Sequence, residues 1–99
     1  MDSDYMIFWT AEAVDNLTSI LGYLEERWTQ KEVDHFKYKL TKQLNLIGQN
    51  PELFPVSQIN PRLRKAVLSI QTTIYYELSG KIIFLIYLFS NYQDPDRIQ

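Results

Sequence analysis

Hydrophobic and polar positions change period halfway along this chain. After a short β-rich run, "YMIFW" (Tyr5 to Trp9), apolar residues recur every three or four positions. Thr10 can cap the helix that follows, and Glu12 in its first turn suits the helix dipole. Val14, Leu17, Ile20, Leu21, Leu24 and Trp28 form one apolar stripe on that helix. Thr29 and Glu32 then have capping-box spacing, which starts a second helix almost without a loop. Its stripe is Val33, Phe36, Leu40, Leu44 and Ile47, with Gly48 placed where a left-handed C-terminal residue is wanted. Two helices joined so tightly predict an antiparallel hairpin.

"NPELFP" (Asn50 to Pro55) ends the helical half, because its two prolines exclude a continuing helix or a central strand. Beyond it the period becomes two. "RLRKAVL" reads as a strand, with Leu63, Lys65 and Val67 opposite Arg64, Ala66 and Leu68. "TTIYYEL" (Thr72 to Leu78) is the next strand, Ser79-Gly80 the turn, and "KIIFLIYLF" the antiparallel return. The polar "SNYQDPDRIQ" leaves no room for another long helix. The predicted order is β-α-α-β-β-β, an α+β fold with a helical hairpin on one face of a mostly antiparallel sheet.

That fold raises a covering problem. On strict alternation Ile82, Phe84, Ile86 and Leu88 share one face of the last strand, and Ile83, Leu85, Tyr87 and Phe89 share the other. Two helices cover only one set. The remaining set is a surface for a partner or a second copy of the chain, unless sheet twist and the first strand bury it.

Composition narrows the function classes. Ninety-nine residues make a single domain spanning 1–99. The absence of cysteine excludes a disulfide framework or thiolate metal site, and a single histidine, His35, argues against a His-rich metal centre or a Ser-His triad. No metal or cofactor is expected. The longest apolar run, "IIFLIYLF", is far shorter than a membrane span, and the acidic start "MDSDYM" lacks a signal pattern, so the expected location is cytoplasmic. Residues 1–50 carry eight acids against five Lys and Arg, whereas residues 51–99 carry four acids against five. The whole-protein field therefore does not attract phosphate, and any nucleic-acid contact has to be local.

The ordered combination of helix-hairpin patterning, "NPELFP", an Arg-bearing strand, "TTIYYEL" and "IIFLIYLFSNYQDP" resembles the RelE/ParE superfamily, from about Tyr5 to Pro95. These are toxins of type II toxin–antitoxin modules, also called plasmid stabilisation proteins. The resemblance matches the family's strand arginine to Arg64, its following aromatic to Tyr75 or Tyr76, and its polar C-terminal segment to Asn91–Pro95. It implies a cognate antitoxin, usually encoded by the adjacent gene, whose segment fills exposed apolar grooves. A homodimer or a toxin–antitoxin heterotetramer is compatible with it. RelE-like members cleave messenger RNA at the ribosome without metal, whereas ParE-like members inhibit DNA gyrase without cleavage.

Phosphodiester cleavage by the 2′-hydroxyl needs a base, an acid and cations for the phosphate charge. The candidates for that enzyme reading are Arg62, Arg64, Lys65, Tyr76 and Tyr92. The basic residue that follows the last strand in the RNA-cleaving branch is missing: Tyr92 stands near its place and Arg97 comes late. The leading reading is therefore a ParE-like toxin that inhibits a target such as DNA gyrase by binding. A ribosome-dependent messenger-RNA endoribonuclease is the alternative, and an inactive toxin-derived domain that only binds an antitoxin is the third. Arg62, Arg64 and Lys65 equally fit a charged edge strand that resists aggregation. Of Tyr75 and Tyr76, one faces the helices and the other the open sheet. His35, with Lys31, Lys39 and Lys42, reads as solvated helix surface. Glu25 and Glu26 are helix neighbours that diverge, so they form no carboxylate pair. The partner-binding candidates are Ile82, Phe84, Ile86, Leu88, Tyr87 and Phe89.

Overall fold

The computed structural model of the chain describes residues 5–91. Its elements run β1 (Met6–Trp9), α1 (Ala11–Arg27), α2 (Gln30–Gln49), β2 (Arg64–Val67), β3 (Thr72–Ser79) and β4 (Ile82–Ser90), the predicted order. Both helices begin at the expected threonines: Thr10 Oγ1 accepts from the Ala13 amide, and Thr29 Oγ1 from the Glu32 amide. Two corrections fall on the helices. Gly48 lies inside α2, and among the described residues only Gly80 has positive φ, at 61°. Helix α2 runs on because Asn50, with φ −143°, caps it and returns its amide to the Leu46 carbonyl. On α1 the buried line is Ala13, Ile20 and Leu24, with Leu17 and Leu21 packed beside it. Val14 and Trp28 are half exposed, because the stripe drifts around the helix and its two ends leave the seam.

The sheet order is β1-β4-β3-β2. Strand β1 pairs parallel with β4, Met6 to Ile82 and Trp9 to Leu85, so the sheet is mixed. Strand β3 pairs antiparallel with β2 on one side and with β4 on the other, and β3 and β4 are neighbours throughout as expected. Ser79 pairs with Ile82, which makes the hairpin loop Gly80-Lys81 rather than Ser79-Gly80. Glycine at the first of the two loop positions with positive φ fits a type II′ turn.

A β-bulge changes the reading of β4. Tyr75 pairs with Tyr87 and Tyr76 with Leu85, so Ile86 has no partner and alternation restarts beyond it. The N-terminus of α1 serves this irregularity. Thr10 Oγ1 lies 2.6 Å from the Leu85 carbonyl oxygen and 3.0 Å from that of Ile86, and donates its proton there. Asn16 Oδ1 accepts the Leu88 amide at 2.9 Å. One end of α1 thus supplies the hydrogen bonds that β1, ending at Trp9, no longer gives to β4.

One core joins both helices to one face of the sheet. Ile74 and Tyr76 of β3, Ile83, Leu85 and Leu88 of β4, and Ala66 of β2 meet Ile20, Leu24, Val33, Phe36, Leu40 and Ile47. The C-terminal half of α2 reaches both edges of the sheet. Gln43 Nε2 donates to the Val67 carbonyl at 3.0 Å, and the backbone at Gly48 comes close to Ile7 of β1.

Candidate functional site

The other sheet face carries large apolar groups that no described element covers. In register across it stand Met6 with Ile82, Phe8 with Phe84, and Tyr87 with Tyr75. Phe89 and Val67 flank Thr73, and Lys65 stands opposite Tyr75. Phe8 is 54% exposed and meets Phe84 edge to face, with ring centroids 5.5 Å apart. Tyr75 and Tyr87 are stacked, centroids 4.7 Å apart and planes 8° from parallel. Partial burial, the neighbouring Tyr75 and the Glu12 carboxylate all push the Tyr87 hydroxyl above the usual tyrosine range. The result is an aromatic platform spanning β1, β4 and β3, bordered by Lys65 on β2.

The bulge decides which candidates belong to this platform. Ile82, Phe84, Tyr87 and Phe89 lie on it, and Ile86 sits half buried at the bulge. Leu88 does not: it is 4% exposed and part of the core. Strict alternation placed Leu88 with Phe84 and separated Tyr87 from it, and the extra residue reverses both assignments. Met6, Phe8 and Tyr75 belong to the surface and were not among the candidates. The parity of "YMIFW" was the available signal for Met6 and Phe8, but only their pairing with Ile82 and Phe84 extends the platform.

The basic cluster is not brought together. Arg64 lies on the helix side of the edge strand, where Nη1 donates to the carbonyls of Phe54 at 2.6 Å and Glu52 at 3.3 Å. Tyr76, opposite Arg64 in register, is fully buried and donates its hydroxyl to the Pro51 carbonyl at 2.6 Å. Burial raises its pKa to about 12, against a smaller opposing pull from Arg64. Phe54 closes edge to face on the Tyr76 ring. Both residues therefore fasten the "NPELFP" segment. That segment continues along the outer edge of β2, where Lys65 donates its amide to the Pro55 carbonyl and Val56 bridges to Arg64. Arg62 is a surface side chain, 79% exposed and 3.8 Å from Glu77. Lys65 borders the platform beside Tyr75, and Arg62 reaches its edge at Glu77, opposite Phe84. Tyr92 lies outside the described residues, as do Gln93, Asp94 and Pro95 of the matched polar segment.

Tyr75 faces the open sheet and Tyr76 the helices, the division expected for that pair. His35 is exposed, as expected, and lines a cleft between α2, the end of α1 and the β2–β3 connection. Among the described residues, no group of three or more His, Asp and Glu side chains is placed to hold a metal ion, and no helix is long and apolar enough to cross a membrane.

No protein-family model matches the chain, and no curated protein matches it in sequence. Solved structures do match in shape. A chain of the chromosomal ParDE toxin–antitoxin system from P. aeruginosa superposes with a TM-score of 0.73 at 16% identity, over 87% of this chain and 95% of that one. The E. coli DinJ-YafQ toxin–antitoxin complex contributes a chain with a TM-score of 0.62 at 13% identity, over 89% and 93%. YafQ alone, from E. coli strain BL21(DE3), gives 0.58 at 13% identity, over 87% and 92%. The strand, helical hairpin and three-strand return of this chain therefore form a RelE/ParE-like fold.

Proposed function

We propose that this chain is the toxin of a type II toxin–antitoxin module, neutralised by a cognate antitoxin segment that docks on the open sheet face. Support comes from the shared fold with chains of toxin–antitoxin complexes. The observation that carries the proposal is the uncovered platform of Met6, Phe8, Ile82, Phe84, Tyr87 and Phe89. Removing several such side chains from water is worth about 1.5–3 kcal/mol for each one fully buried. Ordering a flexible antitoxin tail offsets roughly 2–5 kcal/mol of that gain, which still leaves tight binding within reach.

In this reading the toxin acts on its target by binding, and the target is DNA gyrase. The placement of Arg64 and Tyr76 supports inhibition over cleavage, because both are committed to loop carbonyls instead of converging on an open site. One observation favours the endoribonuclease alternative. Lys65 beside the stacked Tyr75 and Tyr87 is the pairing of cation and aromatic faces that single-stranded RNA prefers.

Induced expression separates the two. Gyrase inhibition changes plasmid supercoiling while messenger RNAs stay intact, and co-expression of the adjacent gene product restores growth. Codon-position cuts in ribosome-bound transcripts, lost on Lys65→Ala or Tyr87→Phe, would establish the enzyme instead. Growth unaffected by expression, together with a stable complex with the neighbouring gene product, would reduce the chain to an antitoxin-binding domain.

A further inference from the structure

The cleft beside His35, on the helical side and away from the open sheet face, holds about 220 Å³. Its floor is apolar: Leu24 of α1, Phe36 of α2 and Leu68 after β2. Trp28 stands at its wall. This residue caps α1 through its amide, which donates to the Leu24 carbonyl, while 49% of the residue is exposed. Glu32, His35 and Lys39 come from one side of α2, at the i, i+3 and i+7 spacing that keeps side chains on one face.

The polar side chains around this apolar floor are free to engage a ligand. Elsewhere near the core, Tyr76, Arg64, Thr10 and Asn16 all spend their side chains on backbone groups. Among the described residues, the side chains of Trp28, Glu32, His35, Lys39 and Gln71 make no hydrogen bond or ion pair. An apolar floor with several convergent, unengaged polar groups is the make-up of a small-ligand site.

The chemistry of the walls selects the ligand. The Trp28 indole and the apolar floor offer apolar surface to a flat ring, and the volume admits one ring system with a short substituent. Glu32 lies in the first turn of α2, where the helix N-terminus offsets part of its charge. Lys39 lies about 10.5 Å further along the axis, outside that influence, and its ammonium governs the far end. We propose that this cleft binds a small aromatic carboxylate, its ring against Trp28 and its carboxylate on Lys39, with His35 and Gln71 as hydrogen-bonding neighbours.

The test titrates indole-3-acetate into the full ¹⁵N-labelled chain and follows both indole N–H resonances, with Trp9 as the internal control. Saturable shifts at Trp28, His35 and Gln71, with Trp9 unmoved, are expected. Indole-3-acetamide should bind at least tenfold more weakly. Lys39→Glu should lose at least tenfold in affinity at an unchanged melting temperature, and Glu32→Gln should gain severalfold. Equal binding of acid and amide, an unaffected Lys39→Glu variant, or shifts centred on Tyr75 and Tyr87 would overturn the assignment. A blocked tetrapeptide, acetyl-Gly-Gly-Gly-Trp, presents the same ring and carboxylate at a chain end. If it binds more tightly than the free acid, the cleft reads a polypeptide terminus and the small-molecule assignment fails.

Discussion

At the scale of single residues, Tyr76 and Arg64 show how a polar side chain in a catalytic-looking position becomes structural. Tyr76 is buried with one partner, the Pro51 carbonyl. Tyr76→Phe keeps the ring against Phe54 but removes the hydroxyl that donates to that carbonyl, a loss of about 1–2 kcal/mol in urea unfolding. Arg64→Ala removes a charged donor from the Phe54 and Glu52 carbonyls and should cost a similar amount. The raised Tyr76 pKa fixes the sign of a pH effect. Because the folded state holds the neutral phenol, its contribution is complete below the ordinary tyrosine value of 10. It is lost as pH rises from there through about 12. The stability difference between wild type and Tyr76→Phe should therefore shrink across that window, as measured by urea unfolding at stepped pH. A difference that stayed flat would mean the phenol is not held neutral.

At the scale of elements, the joint between α1 and β4 decides which side chains reach the platform. Ile86 is the extra residue, and Thr10 is the side chain that both caps α1 and satisfies the carbonyls at the bulge. Thr10→Val keeps the shape and removes both roles. The lost cap and the poorly satisfied Ile86 carbonyl predict destabilisation of about 2 kcal/mol, and Thr10→Ser should recover most of it. Hydrogen exchange should then show faster exchange at Leu88 and its neighbours than in the hairpin end near Gly80. Equal acceleration along the whole of β4 would show that Thr10 acts on global stability instead of on the bulge.

At the scale of the whole molecule, the two sheet faces should respond oppositely to charge. Leu88→Glu places a carboxylate in the core with no partner there and should destabilise by about 4 kcal/mol or more. Phe8→Glu changes a half-exposed position on the platform, so the isolated fold should lose only about 1 kcal/mol. The same change should weaken an antitoxin complex by at least tenfold, about 1.4 kcal/mol. Calorimetric unfolding and binding titration read the two effects separately. A Phe8→Glu chain that binds the antitoxin at full strength would move the docking surface elsewhere.

The linear pattern determined a good deal of this protein: the two caps at Thr10 and Thr29, the α2 stripe from Val33 to Ile47, the glycine turn at Gly80, and the α+β order of the elements. These are local signals, set by residues within one or two turns of each other. Period-two reading also divided Tyr75 from Tyr76 correctly, because β3 keeps its alternation from Thr72 to Leu78. Alternation could not say that β4 gains a residue at Ile86, since the stabilising groups at that bulge lie more than seventy positions away on Thr10 and Asn16. Nor could it place β1 beside β4, draw Arg64 and Tyr76 onto the loop carbonyls, or bring Trp28 to the cleft of His35 and Lys39. Those arrangements join residues distant in the chain, so they exist only once the helices have packed on the sheet.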